Sequence, residues 1–209
     1  MTTGAIAAAV SYIQQGGQAP APADVVAALL AAEKQSKQTK QRYDCEQLLG
    51  SWRLGFVSGT QKKRSRPGAK PTKVPGTGRF LPKFVTITIT YTKADSEADN
   101  SSQETLRNRP TVKNSVSISG LQLQLTGPTR FWPKTNSLGF DFTAIKASIG
   151  ALTLYSGSLR GGEAQAKRFE SQSLKEQAFF TFFEVEEQYI AARGKGGGLA
   201  LWTRWPSNP

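Results

Sequence analysis

The sequence contains no histidine and a single cysteine, and both shortages limit its chemistry. With 0 His among 209 residues, the chain cannot form Ser–His or Cys–His nucleophile pairs or His-ligated metal sites. Cys45 has no partner for an intramolecular disulfide, so the fold does not depend on an oxidising compartment. The neighbouring Asp44 and Glu46 would raise the pKa of its thiol, which favours a buried structural cysteine. Acid–base catalysis would have to use the carboxylates of Glu184, Glu186 and Glu187, which we expect to be solvated or paired with Arg193 and Lys195. We therefore expect no catalytic residues, no metal site and no enzyme activity.

Long apolar runs are also missing. No stretch reaches the roughly 18 residues of a membrane-spanning helix. Residues 5–10 are apolar but short, and no basic region precedes them, so a secretory signal is not expected. Residues 1–33 contain no Lys or Arg, which argues against an attached organelle transit peptide. We expect the protein to work in the compartment where it is made.

Positive charge, by contrast, is abundant. The net charge is +12, which favours nucleic acid, an anionic membrane or an acidic protein as partner. Residues 61–79 hold much of it and contain no acid. The basic residues predicted to dock on an anion or a membrane are Lys62, Lys63, Arg64, Arg66, Lys70 and Lys73, with Arg79 following. Three prolines and four glycines from residue 59 to residue 78 predict a loop rather than a helix or strand.

This basic segment has three interpretations. Docking on anionic lipid headgroups would contribute about 1 kcal/mol per basic residue near the surface. RNA binding is less favoured, because Phe80 is the one aromatic residue available for base stacking and no RNP-type motif is present. A solvated loop that aids solubility is the third interpretation.

Residues 1–47 read as a helical segment. Helix signals run from Thr2 or Thr3 to about Gln15, and a second helix follows Pro22 and fades in the polar run 33–41. Asp44 and Gln47 resemble a capping box for one last turn. The first two helices lack basic residues on a polar face, so we expect them to pack on a barrel wall or close its end rather than to anchor in a membrane.

From Trp52 onward the apolar pattern alternates with a period of two. We predict about eight strands in residues 48–209, with turns at residues 127–128 and 194–198 and strand structure in residues 178–185 and 186–192. Hairpin connections favour a closed antiparallel β-barrel, since closure removes the sheet edges. The chain is thus predicted to be mainly β with N-terminal helices.

A barrel of eight strands can hold one small apolar ligand or be filled by its own side chains. The inward faces of strands 84–91, 121–125, 138–142 and 179–183 would line such a cavity. The predicted ligand-cavity residues are Val85, Ile87, Ile89, Tyr91, Leu123, Phe140, Phe142, Phe180 and Phe182. Simple core packing remains an alternative for most of them.

Both ends of the predicted barrel resemble one known family. Residues 48–54, Leu-Leu-Gly-Ser-Trp-Arg-Leu, followed by Phe56 and Ser58-Gly59, resemble the opening of the plastid lipid-associated protein (fibrillin) family, Leu-Leu-x-Gly-x-Trp-x-Leu-x-Tyr/Phe-Thr-Ser. Residues 185–201, Val-Glu-Glu-Gln-Tyr-Ile-Ala-Ala-Arg-Gly-Lys-Gly-Gly-Gly-Leu-Ala-Leu, resemble its closing hairpin, although Glu186 replaces the family's Asp and Ile190 its first Arg.

The resemblance implies a lipocalin-like barrel that binds a prenyl quinone, a carotenoid or another lipid without catalysis. It implies a monomer in the cytoplasm or peripheral to the thylakoid membrane of a cyanobacterium, or in a plastid once a transit peptide is removed. Plastoglobule association and a role in photosynthesis belong to the same expectation. In such barrels an arginine of the last strand covers the Gly-x-Trp tryptophan, so we expect Arg204 within about 6 Å of the Trp52 ring as a structural closure.

Two other classes of function remain open. One is a chromophore lyase that attaches bilins on a similar barrel, which would require Glu186 or Asp141 inside an open cavity. The other is an RNA-binding or protein-interaction module driven by the basic segment, which a solid barrel core would favour.

Overall fold

The computed structural model describes residues 2–63, 72–93 and 110–206 of the chain. Its helices are α1 (Thr2–Gln15), α2 (Pro22–Thr39), α3 (Cys45–Leu48) and α4 (Glu163–Ser171), with one 3₁₀ turn at Pro133–Thr135. Its strands are β1 (Gly50–Val57), β2 (Thr60–Lys63), β3 (Thr72–Pro75), β4 (Arg79–Phe80), β5 (Val85–Thr92), β6 (Thr111–Ile118), β7 (Leu121–Trp132), β8 (Ser137–Phe140), β9 (Ala144–Ile149), β10 (Leu152–Ser158), β11 (Ala178–Val185), β12 (Tyr189–Gly194) and β13 (Leu199–Arg204).

Eight of these strands close into an antiparallel barrel. The order is β7, β6, β5, β1, β13, β12, β11 and β8, and β8 pairs back onto β7 to complete the ring. With helices at the N-terminus and strands making up most of the rest, the protein is a mainly β, lipocalin-like barrel. The predicted fold class is confirmed.

The ring has a closed end and an open end. We call the end where β1 begins the closed end, because α3 and the buried side chains of Leu48 and Trp52 fill it. We call the opposite end the open end: there β1 finishes at Val57, β5 begins at Val85, and the β6–β7 and β9–β10 turns lie.

Strand β7 changes its pairing partner at the middle of its length, and we call this change the fork of β7. Its first half, up to Thr126, pairs with β9, whereas its second half, from Thr129, pairs with β8. A Cβ at residue 127 would overlap the carbonyl oxygen of Asp141, so only glycine allows the backbone after β8 to pass this close to β7. The prediction of a turn at residues 127–128 is therefore wrong: Gly127 and Pro128 serve a crossing inside a long strand.

Helices α1 and α2 cover one side of the barrel wall. Apolar side chains of both helices, including Ile6 and Leu29, pack with Phe56, Phe183 and Leu201 on the outer face of β1, β11 and β13. Strand β11 is thus covered on both sides, with Phe182 in the barrel interior and Phe183 under the helices. This explains why aromatic residues occupy both faces of that strand.

The second helix ends at Thr39, within the polar run 33–41 where its end was expected. One further expectation is wrong: residues 186–192 are not a continuing strand, because Glu186 donates its backbone N–H to Tyr189 O at 2.9 Å and the chain turns into β12. Helix α4 was not predicted, because its low apolar content gives no helical signal.

A buried ion pair holds the polar end of α2 to the barrel and explains why the helix continues. The Glu33 side chain is 9% exposed and accepts a 2.8 Å hydrogen bond from Arg193 Nε on β12, while Lys37 Nζ lies 2.8 Å from the same carboxylate. Burial alone would raise the pKa of Glu33, but the hydrogen bonds and charges of Arg193 and Lys37 outweigh it and hold the pKa below its ordinary value.

This ion pair makes a prediction about acid stability. Because the pKa of Glu33 is lower in the folded state, its contribution is complete above the ordinary value of 4.5 and is lost as the pH falls through the folded pKa. We expect Glu33→Gln to lower the free energy of unfolding by about 2–4 kcal/mol at neutral pH. Chemical denaturation across a pH series should show the gap to wild type narrowing below that value.

Glu46→Gln is the matched control. Glu46 also pairs with a lysine, Lys93, at 2.9 Å, but both side chains are exposed. Its loss should leave the unfolding curve unchanged at every pH. A gap for Glu33→Gln that stays constant down to strong acid would contradict the assigned role of its charge.

Candidate ligand site

The inner face of five neighbouring strands carries three rows of side chains in register. The rim row, nearest the open end, is Val85, Ile118, Leu121, Ile149 and Leu152. The middle row is Ile87, Val116, Leu123, Ala147 and Tyr155. The floor row is Ile89, Asn114, Leu125 and Ile145. Each row runs from β5 through β6 and β7 to the β9–β10 hairpin.

All nine predicted cavity residues lie on the inner side of the barrel, but they divide into two groups. Ile89, Tyr91, Phe140 and Phe182 are buried and belong to the packed core, so core packing explains them without a ligand. The half-buried group near the open end is Val85, Ile87, Leu123, Phe142 and Phe180. Only this second group can line open space.

Half-burial of these inward side chains indicates incomplete filling. Leu123 has hydrogen-bonded strands on both flanks, so its remaining accessible surface faces the barrel interior. Ile87 pairs with β6 on one flank and lies one residue beyond the end of the β1–β5 ladder. The fork of β7 adds a second opening, because β9 and β10 diverge from the ring and β10 is the edge strand of the sheet. In the described chain β10 and β11 are not hydrogen-bonded to each other, so the ladder of the wall is interrupted between them.

An aromatic cluster forms the wall opposite the three rows. The Phe140 and Phe180 rings stack with centroids 5.2 Å apart, and Phe180 meets Trp202 edge-on at 5.1 Å. Phe142 joins the cluster at 5.4 Å from Phe140. Trp202 was missed by the sequence prediction, because residues 199–202 are apolar on both faces and the alternation does not show which one points inward.

Two polar side chains interrupt the apolar interior. Asn114 lies in the floor row between Ile89 and Leu125. Tyr91 lies one register step deeper, and burial raises the pKa of its hydroxyl, with a smaller contribution from Cys45. Within the described residues, neither side chain has a hydrogen-bond partner in the protein. The half-buried Asn114 amide is therefore available to a bound molecule, whereas Tyr91 lies in the packed core.

At the closed end the Trp52 side chain is fully buried and capped on both edges. Its Nε1 donates a 2.7 Å hydrogen bond to Leu48 O, and the guanidinium carbon of Arg204 lies 3.6 Å from its ring centroid. Arg204 also donates to Leu49 O at 2.8 Å and to Glu187 O at 3.1 Å. The predicted closure by Trp52 and Arg204 is present, and these residues do not face the open interior.

The carboxylates that a lyase would use lie elsewhere. Asp141 accepts hydrogen bonds from Arg160 at 3.2 Å and Gln165 at 2.8 Å, on the outside of the ring. Glu186 is exposed in the turn between β11 and β12, at the closed end. Neither side chain enters the interior near the open end.

The basic segment stands beside the open end. Lys62 and Lys63 belong to β2 and Lys73 to β3, and residues 62 and 73 are directly opposite in a two-stranded hairpin. The expectation of a segment without strands is thus wrong for residues 60–63 and 72–75, which lie at the ends of the Pro- and Gly-rich stretch. The predicted docking residues Arg64, Arg66 and Lys70 lie outside the described residues.

Comparison with known proteins adds no assignment: no protein-family model matches the chain, and no curated protein matches it. Among the described residues, no helix has the length and apolar character needed to cross a membrane.

The closure at Trp52 leads to a second prediction. We expect Arg204→Leu to lower the free energy of unfolding by about 2–4 kcal/mol, because it removes a desolvated cation–π contact and charged hydrogen bonds to two carbonyls. Arg53→Leu is the matched control, since Arg53 lies 5.2 Å from the centroid of Trp205, a partly exposed ring. It should cost less than about 1 kcal/mol. Urea unfolding followed by circular dichroism measures both, and equal losses would contradict the special role of Arg204.

Proposed function

We propose that the protein binds or sequesters a lipophilic molecule in the barrel without catalysing a reaction. The observation that carries this proposal is the half-buried apolar lining near the open end, formed by Val85, Ile87 and Leu123 on one side and by Phe142 and Phe180 on the other. Apolar surface that stays accessible to water favours contact with an apolar molecule, at roughly 25 cal/mol per Å² of apolar surface removed from water.

The Asn114 amide restricts the class of ligand. A wholly hydrocarbon ligand would bury the Asn114 amide without a hydrogen bond, which costs about 1–3 kcal/mol. A ligand with an apolar tail and a neutral hydrogen-bonding head, such as a carbonyl, would satisfy it. A prenyl quinone fits this description best among the molecules that the family resemblance suggests, and a carotenoid or another lipid is the alternative.

The surroundings of the open end support a membrane as the place of loading. The β2–β3 hairpin lies at that end and belongs to a segment with no acidic residue, so it favours an anionic surface. We propose that the protein acts at an anionic membrane or lipid droplet, such as the thylakoid or plastoglobule surface. The chromophore-lyase alternative gains no support, since Asp141 and Glu186 lie outside the open interior.

Filling the interior tests the proposal. Ile87 is half-buried in the middle row, and Ile87→Trp adds a ring to the space that the ligand would occupy. We expect Nile red and a quinone with a decyl tail to bind wild type, and at least about tenfold weaker binding by the variant. Fluorescence titration of Nile red and its displacement by the quinone measure both affinities.

Thr88→Trp is the matched control. Thr88 is the next residue of β5, and its side chain points to the outer face. It adds the same ring without entering the interior, so it should bind both probes as wild type does. Equal effects of the two variants, or no binding of either probe by wild type, would overturn the proposal.

A further inference from the structure

The rim row is apolar and yet widely exposed. The exposed fractions are 41% for Ile118, 47% for Leu121, 52% for Ile149 and 66% for Leu152. Phe84, which precedes β5 at the same end, is 69% exposed. Neighbouring large apolar side chains at such exposure mark a surface that meets something other than water.

These side chains share one compact tip. Strands β6–β7 and β9–β10 turn at the same end, and Gly150 donates its backbone N–H to Gly120 O at 3.3 Å, which ties the two turns together. On β10, Leu154 and Tyr155 are also more than half exposed. The tip therefore extends the apolar surface from the barrel rim along the β9–β10 hairpin.

The opposite face of the same strands is polar. The row directly behind the rim row is Thr86, Ser117, Gln122, Ser148 and Thr153. The sheet thus has one apolar and one polar face even in the part that projects past the packed core of the barrel. The apolar face of the exposed hairpin serves no part of the barrel core, and no described segment of the chain covers it.

Charge separates the two ends of the barrel. The sequence has no acidic residue from 50 to 94, and Asp141, the one acid in residues 110–158, is paired with Arg160. Acidic side chains gather instead at the closed end: Asp44, Glu46, Glu184, Glu186 and Glu187. The open end therefore favours an anionic partner.

We propose that the tip formed by the β6–β7 and β9–β10 turns inserts the rim row into an anionic lipid bilayer. Exposed apolar side chains on a protruding tip, polar side chains behind them and the lack of acidic residues in strands β5, β6, β7, β9 and β10 fit the headgroup–acyl boundary of such a membrane. This deepens the proposed function by naming the docking surface, but the docking itself does not require that the barrel hold a ligand. It would place the gap between β10 and β11 against the lipid.

A second copy of the chain fits the tip less well. Pairing of two β10 edges would extend the sheet, but the register of β9 and β10 shifts between Thr153 and Tyr155, and such a bulge interrupts the ladder that an added strand needs. Two copies would also bring two basic open ends together, which repel each other.

A dye attached to neighbouring residues on opposite faces tests the insertion. Leu152→Cys and Thr153→Cys, each in a Cys45→Ser background, are labelled with nitrobenzoxadiazole and mixed with vesicles of equal parts phosphatidylcholine and phosphatidylglycerol. We expect a blue shift and a gain of intensity at residue 152, and little change at residue 153. Equal shifts at both positions would overturn the proposal, and so would the absence of a shift at residue 152 when the protein floats with the vesicles. A shift at residue 152 that grows with protein concentration in the absence of vesicles would also overturn it, because it would indicate self-association.

A second measurement avoids the labelled cysteines. Ile149→Ser with Leu152→Ser removes two directly opposed apolar side chains of the hairpin, and Ser148→Thr with Thr153→Ser changes their polar neighbours. In vesicle flotation we expect the first pair of substitutions to weaken partitioning into the vesicles at least about tenfold. The second pair should partition as wild type does. Flotation of both pairs like wild type would overturn the proposal.

Ligand titration in the same proteins separates this inference from the proposed function. Ile87→Trp should float with vesicles as wild type does and lose both ligands, because its added ring lies in the barrel interior and leaves the tip unchanged. Loss of ligand binding with normal flotation in wild type would defeat the proposed function alone.

Discussion

The change of pairing partner along β7, from β9 to β8, determines where the barrel closes. A strand can pair with one neighbour at a time on each side, and β7 uses its second side for β9 up to Thr126 and for β8 from Thr129. The ring is therefore complete towards the closed end and divided towards the open end. The crossing depends on Gly127, because any side chain there would meet the backbone of Asp141. Both the opening of the interior and the projecting β9–β10 hairpin follow from this one constraint.

Coverage by helices explains much of the sequence pattern. Helices α1 and α2 bury the outer face of β1 and of β11 to β13, so these strands are apolar on both faces. Strands β5 to β7 have no helix of the described chain over most of their outer face, and their side chains alternate between apolar and polar. The ion pair of Glu33 and Arg193 fixes the helices on the side away from β9 and β10. Most of the exposed large apolar side chains consequently lie at the open end, and the exceptions are Leu30 on α2 and Trp205 at the closed end.

The same difference decides what sequence reasoning can predict. Residues 85–92 alternate strictly, and the prediction of which side chains point inward is confirmed for Val85, Ile87, Ile89 and Tyr91. In residues 199–204 both faces are apolar, so Trp202 could not be assigned to the interior. The Arg204–Trp52 contact was predictable only through the family resemblance. Gly127 and Pro128 carry a strong local turn signal, and only the non-local crossing with Asp141 makes them part of a strand.

The site could be predicted as a set of inward residues but not as an opening. Alternation tells which face is apolar, and it holds equally for Ile89, which is buried, and for Leu152, which is mostly exposed. Whether an apolar row faces packed side chains, an empty interior or a membrane depends on where the ring closes, and this is decided by strand pairing between distant segments. The apolar character of the inner face is thus continuous from the core to the rim, while its surroundings change from protein to solvent. A lipophilic molecule that meets the rim row would find the same chemistry all the way to Asn114, which makes the rim and the interior one path rather than two separate sites.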